Sequence, residues 1–324
     1  MQDRILTGVL ESLEDGVAAF DLDGHVLCCN EAAYRLLHTD RQRFRHVFDL
    51  PEEVRVFFRD VRTGDTRTVQ LYEKALRLHY RDITENGYRF GAVLTICDIG
   101  EQYRVERIRR EFTANVSHEL KTPLTSISGY AEMIENGMAK DADIIAFAGR
   151  IRRESNRMLA LVSDIITLSE LDEPGVSEEE ETVDLYALAK GTIETLEGAA
   201  MVRGVTVQLS GEPSPVRASP VLLGELVHNL VDNAIRYNRD NGSVSVRVQK
   251  GTLTVRDTGI GIPKNHQPRI FERFYRVDKS RSKATGGTGL GLAIVKHICE
   301  QYNAELTLTS SEGIGTEITV AFPQ

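Results

Sequence analysis

Short apolar runs separated by polar corners make up the first hundred residues. Residues 16–20 and 25–30 are two such runs, and the Asp-Gly pair at residues 23–24 between them predicts a β-hairpin. A helical segment follows at residues 31–38. Three further strands are predicted, at residues 66–72, 75–82 and 88–97. This order of elements predicts an antiparallel α+β domain over residues 1–100.

Beyond residue 99 the apolar residues recur by threes and fours, which predicts two long helices with coiled-coil-like seams. Gly137 and the polar residues 140–141 separate the helices. The seams comprise Val105, Ile108, Phe112, Val116, Leu120, Pro123, Ile127, Tyr130 and Ile134, and then Ile144, Phe147, Ile151, Met158, Leu161, Ile165, Leu168 and Leu171. We expect an antiparallel helical hairpin over residues 101–172. Because one hairpin alone would expose its apolar stripe, we expect two copies to pair into a dimeric four-helix bundle, and thus a homodimer.

An acidic stretch broken by proline and glycine at residues 173–181 indicates a solvated linker. Residues 182–324 alternate between helical and strand patterns and predict an α/β sandwich. Its helices are expected at 185–202, 220–237 and 290–301, and its strands at 205–209, 243–250, 252–257, 304–310 and 315–322. The chain is therefore expected to be multidomain, which its length of 324 residues also favours.

The composition excludes several classes of protein. A net charge of −9 and a pI near 5.5 argue against a nucleic-acid partner, which would need a basic face. Four cysteines without a CxxC pair or metal-ligand spacing indicate thiols in a reducing compartment. No stretch approaches the roughly 18 apolar residues of a membrane helix. The chain is therefore expected to be soluble, with no membrane segment.

The most informative segment is Ser117–Leu124, in the middle of the first long helix. Pro123 cannot donate a hydrogen bond to the carbonyl of Glu119, so the helix should bend there. His118 lies off the apolar seam, and its imidazole should face solvent. Neutral imidazole has a nucleophilic lone pair near pH 7, and the Glu119 carboxylate can hold the proton on the other nitrogen. Thr122, one turn farther on, either orients a water or is an ordinary solvent-facing residue.

Glu225, Asn229 and Asn233 recur every four residues, which places carboxylate and amide oxygens on one face of a helix. Such oxygens suit a hard ion such as Mg²⁺ that bridges ATP phosphates. The alternative is a solvated polar face. The apolar residues Leu226 and Leu230 take the opposite side of this helix.

Asp257 follows a strand, where its carboxylate can accept from the exocyclic amine of a base, and Gly259 and Gly261 let the backbone approach closely. The alternative is a tight turn. A second glycine-rich segment, residues 286–292, opens a helix whose N-terminus and backbone amides can cradle phosphates. Residues 264–288 are rich in glycine and charge and predict a mobile lid. A cation there would offset charge at a γ-phosphate, the candidates being Arg273, Arg276 and Lys279.

In this order, the segments resemble the sequence boxes of sensor histidine kinases. The resemblance covers a phosphoacceptor box at 117–124, an N box at 225–238, a first glycine box at 257–263, an F box at 271–276 and a second glycine box at 286–292. By this resemblance the hairpin is a dimerisation and phosphotransfer domain, and residues 182–324 form an ATP-binding domain of the GHKL (Bergerat) type. Residues 14–17, 21–24 and 30–33 resemble the opening of a PAS sensor domain.

The resemblance also implies roles for individual residues. His118 would be the phosphorylated residue, Glu119 its acid/base helper and Thr122 the phosphatase residue. The metal would be held by Glu225, Asn229 and Asn233, and the nucleotide by Asn229, Asn233, Arg236, Tyr237, Asp257, Gly259, Gly261, Phe274, Arg276, Gly287, Thr288, Gly289, Leu290 and Gly291. Arg236 stands where a lysine is common in the family.

The implied function is a sensor histidine kinase that autophosphorylates His118 from Mg-ATP, transfers the phosphoryl group to an aspartate of a response regulator, and also dephosphorylates that regulator. One alternative is a conformational ATPase of the same superfamily, which should lack the phosphoacceptor hairpin. Another is a phosphatase-dominated scaffold. Because family members often carry membrane helices before a PAS domain, we expect a cytoplasmic chain that is either complete or the cytoplasmic portion of an inner-membrane sensor.

Overall fold

The computed structural model describes residues 2–59, 61–172, 179–278 and 287–323, and all elements named below lie in these ranges. The chain divides into two compact units, Met1–Thr113 and Ala114–Gln324. In the described part of the chain, every helix is too short or too polar to cross a membrane.

The first unit contains an antiparallel sheet and short helices, which confirms the predicted α+β class. Its described strands are β1 (Gly16–Asp21), β2 (Val26–Cys29), β3 (Thr66–Leu71), β4 (Lys74–Glu85) and β5 (Tyr88–Asp98), in the spatial order β2-β1-β5-β4-β3. Its helices are α1 (Gln2–Glu11), α2 (Glu31–Leu36) and α3 (Glu52–Arg55). Strands β1 and β2 form the expected hairpin. Helix α1 was not predicted, and α2 ends two residues earlier than predicted.

A buried asparagine connects three of these elements. Asn30 is only 3% exposed, and its Oδ1 accepts from the backbone N–H groups of Val17 (2.9 Å) and Ala33 (3.0 Å). Its Nδ2 donates to the carbonyls of Leu10 and Asp15, both at 2.9 Å. Because every hydrogen-bonding atom of the side chain is satisfied, Asn30 can be buried without the usual penalty while it caps α2.

Helices α4 (Gly100–Glu135) and α5 (Asp141–Asp172) form the predicted antiparallel hairpin from residue 114 onward. The rings of Tyr130 and Phe147 lie 5.2 Å apart, and the Arg157 guanidinium contacts the Glu119 carboxylate at 3.1 Å. The two residue numbers of each pair add up to nearly the same total, as expected for two helices that run antiparallel to each other. Helix α4 continues unbroken through the buried Pro123.

Helix α5 has two apolar faces. Leu161 and Leu168 are 3% and 0% exposed, so the chain itself covers them. Leu159, Val162 and Ile166 lie on another face and are 69%, 41% and 52% exposed. The predicted seam included the first pair as part of a dimer interface, whereas the structure buries them within one chain and leaves the second face uncovered by the described residues of that chain.

The rest of the second unit is the predicted α/β sandwich. Helices α6 (Leu185–Val202), α7 (Pro220–Arg236) and α8 (Gly291–Gln301) pack on a sheet of order β11-β12-β10-β9-β7. These strands are β7 (Thr206–Gly211), β9 (Ser243–Gln249), β10 (Thr252–Asp257), β11 (Glu305–Ser311) and β12 (Gly315–Ala321). Strands β7 and β9 are parallel, and the other described pairs of this sheet are antiparallel.

A second, two-stranded sheet was not predicted. It pairs β6 (Glu181–Asp184) with β8 (Pro215–Ala218), and β6 begins at the last residue of the predicted acidic linker. Residues 173–178 of that linker lie outside the described residues.

Candidate functional site

Helix α7 separates an apolar face from a polar one, as its spacing predicts. Leu226 and Leu230 are at most 2% exposed and face the core, whereas Glu225, Asn229 and Asn233 are half-buried. The Asn229 amide nitrogen donates to the Glu225 carbonyl at 2.9 Å. The Asn229 Oδ1 is thereby left for other partners on this face. The candidate metal ligands on this face are therefore three oxygen-bearing side chains, the kind that suits a hard cation such as Mg²⁺.

The C-terminal end of α7 is joined to the first glycine box. The backbone N–H of Ile260 donates to the Tyr237 carbonyl at 3.1 Å, and the Thr258 hydroxyl contacts Asn238 Oδ1 at 3.3 Å. Gly261 has φ +64°, and a side chain there would also meet the Ser311 carbonyl. Glycine is therefore required for this loop to close against α7 and the sheet.

Asp257 lies at the end of β10, and its two carboxylate oxygens have different surroundings. Oδ1 accepts from the backbone N–H groups of Gly259 (2.7 Å) and Thr316 (3.2 Å). Both hydrogen bonds found among the described residues fall on Oδ1, so Oδ2 is left for a ligand. Burial raises the pKa of this carboxyl above its ordinary value, against the opposing effect of the two N–H donors.

The second glycine box lies beside both α7 and the F box. A side chain at Gly291 would collide with Asn229 Oδ1. The second glycine box and the N box are therefore in close contact at this point. The backbone N–H of Phe274 donates to the Gly289 carbonyl at 2.8 Å. Gly287 lies near the Tyr237 hydroxyl. Four segments that are separate in sequence therefore meet at one place.

Helix α8 begins within this meeting point. Its N-cap, Leu290, forms no side-chain cap among the described residues, and the preceding Thr288 hydroxyl accepts from the Leu290 N–H at 3.3 Å. Uncapped N–H groups at a helix N-terminus favour anions. Arg236 lies nearby and is paired with Asp232 at 2.6 Å.

His118 is exposed on α4, as its position off the seam predicts. The Thr122 hydroxyl donates to the His118 carbonyl at 3.2 Å, within the helix. The neighbouring Glu119 carboxylate is shared by two arginines, Arg157 of α5 at 3.1 Å and Arg276 of the F box at 3.3 Å. In this arrangement Glu119 is engaged in ion pairs with both domains of the second unit.

The two F-box arginines have different partners. Arg276, with a side chain only 7% exposed, also donates to the Gly287 carbonyl, and burial lowers the pKa of its guanidinium. Arg273 donates to Asp172 at 2.7 Å and contacts the ring of His297 at 3.0 Å. Arg276 thus touches the second glycine box. The third candidate, Lys279, lies outside the described residues.

Sequence reasoning missed that one face of α5 contacts residues around the predicted site. Arg157, Leu161, Asp164, Leu168 and Asp172 are spaced by threes and fours and share one helix face. Arg157 pairs with Glu119 and Asp172 pairs with Arg273, and the two leucines are buried. The sequence feature that could have indicated these contacts is the charged residues that share the three-and-four spacing of the apolar seam.

Two family models match the sequence of this region. The model described as "His Kinase A (phospho-acceptor) domain" matches residues 108–174, and "Histidine kinase-, DNA gyrase B-, and HSP90-like ATPase" matches residues 218–324.

Curated relatives match almost the whole chain. Sensor protein kinase WalK of Staphylococcus haemolyticus (strain JCSC1435) is 34% identical over 340 residues, which cover 99% of this chain and 55% of the relative. Sensor protein kinase WalK of Staphylococcus aureus is 33% identical over 339 residues, which cover 99% of this chain and 81% of that relative. The chain thus spans about half the length of the first relative.

Among solved structures, histidine kinase ThkA in complex with response regulator protein TrrA matches with a TM-score of 0.53 at 20% identity. The match covers 98% of this chain and 97% of that chain. At this identity the likeness bears on the fold alone.

Proposed function

This chain belongs to the sensor histidine kinase family, and on that basis we propose that it uses Mg-ATP to phosphorylate its own His118 and passes the phosphoryl group to an aspartate of a response regulator. The observation that carries the proposal is the meeting of the N box, both glycine boxes and the F box at one place in the unit that also holds His118. A nucleotide site and a solvent-exposed nucleophile are the two parts that autophosphorylation requires.

In the proposed nucleotide site, Asp257 Oδ2 accepts from the adenine amine while Oδ1 stays fixed by the loop. The backbone of residues 287–291 and the start of α8 bind the phosphates. Glu225, Asn229 and Asn233 would hold Mg²⁺, which offsets phosphate charge when bound. Arg276, beside Gly287, is our candidate for the cation that stabilises charge on the transferring phosphoryl group.

The proposed transfer is an in-line displacement. The lone pair of a His118 ring nitrogen forms the N–P bond as the bond from the γ-phosphorus to its bridging oxygen breaks, and ADP leaves with that electron pair. Glu119 orients the ring and holds the proton on the other nitrogen. Because Glu119 is paired with Arg157 and Arg276 in this structure, this role requires that Arg276 release it. The described arrangement is therefore a resting one in the proposed cycle.

We further propose a phosphatase activity in which Thr122 orients water toward the phosphorylated regulator. Its position one turn from His118 on the same exposed face supports this role. That ThkA was solved with a response regulator protein supports a receiver domain as the partner class.

The oligomeric state and location are also proposals. The exposed face of Leu159, Val162 and Ile166 supports a homodimer, because a stripe of this kind is buried when two hairpins pair. We propose that residues 1–100 are a PAS-like sensor domain, 101–172 the phosphotransfer hairpin and 182–324 the catalytic domain. As the resemblance to sensor histidine kinases implies, we propose that the chain is the cytoplasmic portion of a membrane sensor.

The test is incubation of the purified chain with γ-labelled ATP and Mg²⁺, beside His118→Gln and, as a matched control, His25→Gln in the first unit. We expect an acid-labile, base-stable label on the wild type and on His25→Gln, and none on His118→Gln. If none of the three proteins becomes labelled although ATP still binds, the result would favour the conformational ATPase or the phosphatase-dominated scaffold instead.

A further inference from the structure

Arg236 lies in the last turn of α7 and pairs with a carboxylate one turn earlier. Its Nη2 donates to Asp232 Oδ2 at 2.6 Å, and both side chains are only 25% exposed. Ion pairs on an open surface contribute little, because water and salt screen them and both side chains must be ordered. This pair is short and largely shielded from solvent, so the carboxylate holds the guanidinium in a defined position on the helix.

The other terminal nitrogen of Arg236 lies beside the second glycine box. A side chain added at Gly287 would come within 3.7 Å of Arg236 Nη1 and within 3.1 Å of the Tyr237 hydroxyl. Arg276 donates to the carbonyl of the same glycine. One end of the Arg236 guanidinium is therefore bound to Asp232, while the other end lies next to the segment to which we assign phosphate binding.

Asp232 has two opposing effects on a phosphate bound at this segment. Its negative charge repels the phosphate, whereas its hydrogen bond orders a long side chain before the nucleotide arrives, so that binding does not have to immobilise that side chain. Nη1 lies closer to the position of a side chain at Gly287 than any atom of Asp232 does. Because the cation is the nearer of the two charges, we expect ordering to outweigh repulsion.

We propose that Asp232 is a positioning residue for the nucleotide's phosphates: it holds Arg236 so that the Nη1 end of the guanidinium contacts a phosphate oxygen bound at the second glycine box. The inference rests on the proposed nucleotide site. In this role Asp232 touches no phosphate and acts only through Arg236. Its contribution to ATP binding should therefore disappear when the arginine is absent.

The experiment is a displacement titration of a fluorescent ATP analogue by ATP and by adenosine, with Mg²⁺ at pH 7.5. The proteins are the wild type, Asp232→Asn, Asp232→Ala, Arg236→Met, the double variant of Asp232→Ala with Arg236→Met, and the control Asp240→Asn, which changes an exposed carboxylate beyond the helix. The penalty for immobilising one long side chain on binding predicts that Asp232→Ala weakens ATP binding roughly 2- to 12-fold. Asp232→Asn keeps an oxygen acceptor and should lose less. Adenosine, which carries no phosphate, should bind all six proteins equally.

The double variant tests whether Asp232 acts through Arg236. In the Arg236→Met background, Asp232→Ala should no longer weaken ATP binding, because the side chain that Asp232 positions is gone. The same weakening in both backgrounds would overturn the proposal, since Asp232 would then support the fold rather than the arginine.

Further outcomes would also overturn it. Wild-type or tighter ATP binding in both Asp232 variants would show that repulsion equals or outweighs ordering. Equal weakening of ATP and adenosine, or an equal loss in Asp240→Asn, would mean that the effect is not specific to the phosphate contact. Wild-type ATP binding by Arg236→Met would remove that contact but leave the nucleotide site standing. Failure of the wild type to bind ATP would instead refute the proposed nucleotide site, and the role of Asp232 with it.

Discussion

Replacing Asp257 with asparagine changes one hydrogen-bonding atom and little else. Both loop contacts, from the N–H groups of Gly259 and Thr316, fall on Oδ1, and an asparagine that keeps its oxygen in that position retains them. The atom at the Oδ2 position changes from a charged acceptor to an N–H donor. The substitution therefore tests adenine recognition while the loop stays folded.

The size of the effect follows from the bond that is lost. A hydrogen bond to a charged group contributes about 1.5–3 kcal/mol, and its loss should weaken ATP binding roughly 12- to 150-fold, since about 1.4 kcal/mol is a factor of ten. Guanine presents a carbonyl oxygen where adenine presents its amine. The new N–H donor at residue 257 should thus improve GTP binding relative to ATP.

The assay is titration of the wild type, Asp257→Asn and the exposed control Asp240→Asn with fluorescent ATP and GTP analogues, with thermal melting of each protein. We expect the preference for ATP over GTP to fall in Asp257→Asn alone, at an unchanged melting temperature. If Asp257→Asn binds ATP within twofold of the wild type, the assignment of Oδ2 to adenine is wrong. A lower melting temperature would show that the two N–H contacts were not retained.

Three further outcomes are expected. Leu159→Asp combined with Ile166→Asp should convert a dimer into a monomer by light scattering, because the exposed face would be charged; an unchanged mass would place the dimer interface elsewhere. Thr122→Ala should lower regulator dephosphorylation at least tenfold with autophosphorylation intact, and Thr122→Ser should restore it; equal rates in all three proteins would assign the hydroxyl only to its helix. Gly261→Ala should abolish nucleotide binding and destabilise the ATP-binding domain by about 1–3 kcal/mol in thermal melts, because of its positive φ and the nearby Ser311 carbonyl; wild-type behaviour would contradict that reading.

Local patterns in the sequence predicted most of the elements. The buried face of α7 and its polar stripe follow directly from a spacing of four, because residues at that spacing share one side of a helix. Strand β9 alternates buried Val244, Val246 and Val248 with exposed neighbours, which is the period of a half-buried strand. The elements missed, α1, α3 and the β6–β8 sheet, are short or isolated and depend on contacts distant in sequence.

The sequence by itself therefore determined most of the elements, the boxes and the family, because periodicity, spacing and motif order are properties of the chain. Only the tertiary structure decided which surface covers each face. A spacing of three and four shows that Leu161, Asp164 and Leu168 point the same way, but a dimer partner and the ATP-binding domain satisfy that pattern equally well. Likewise, Glu119 next to His118 indicates a helper carboxylate, whereas its pairing with Arg157 and Arg276 follows from packing of segments far apart in sequence. Such long-range pairings are set by the assembled fold, since no local pattern encodes which distant charge comes within reach.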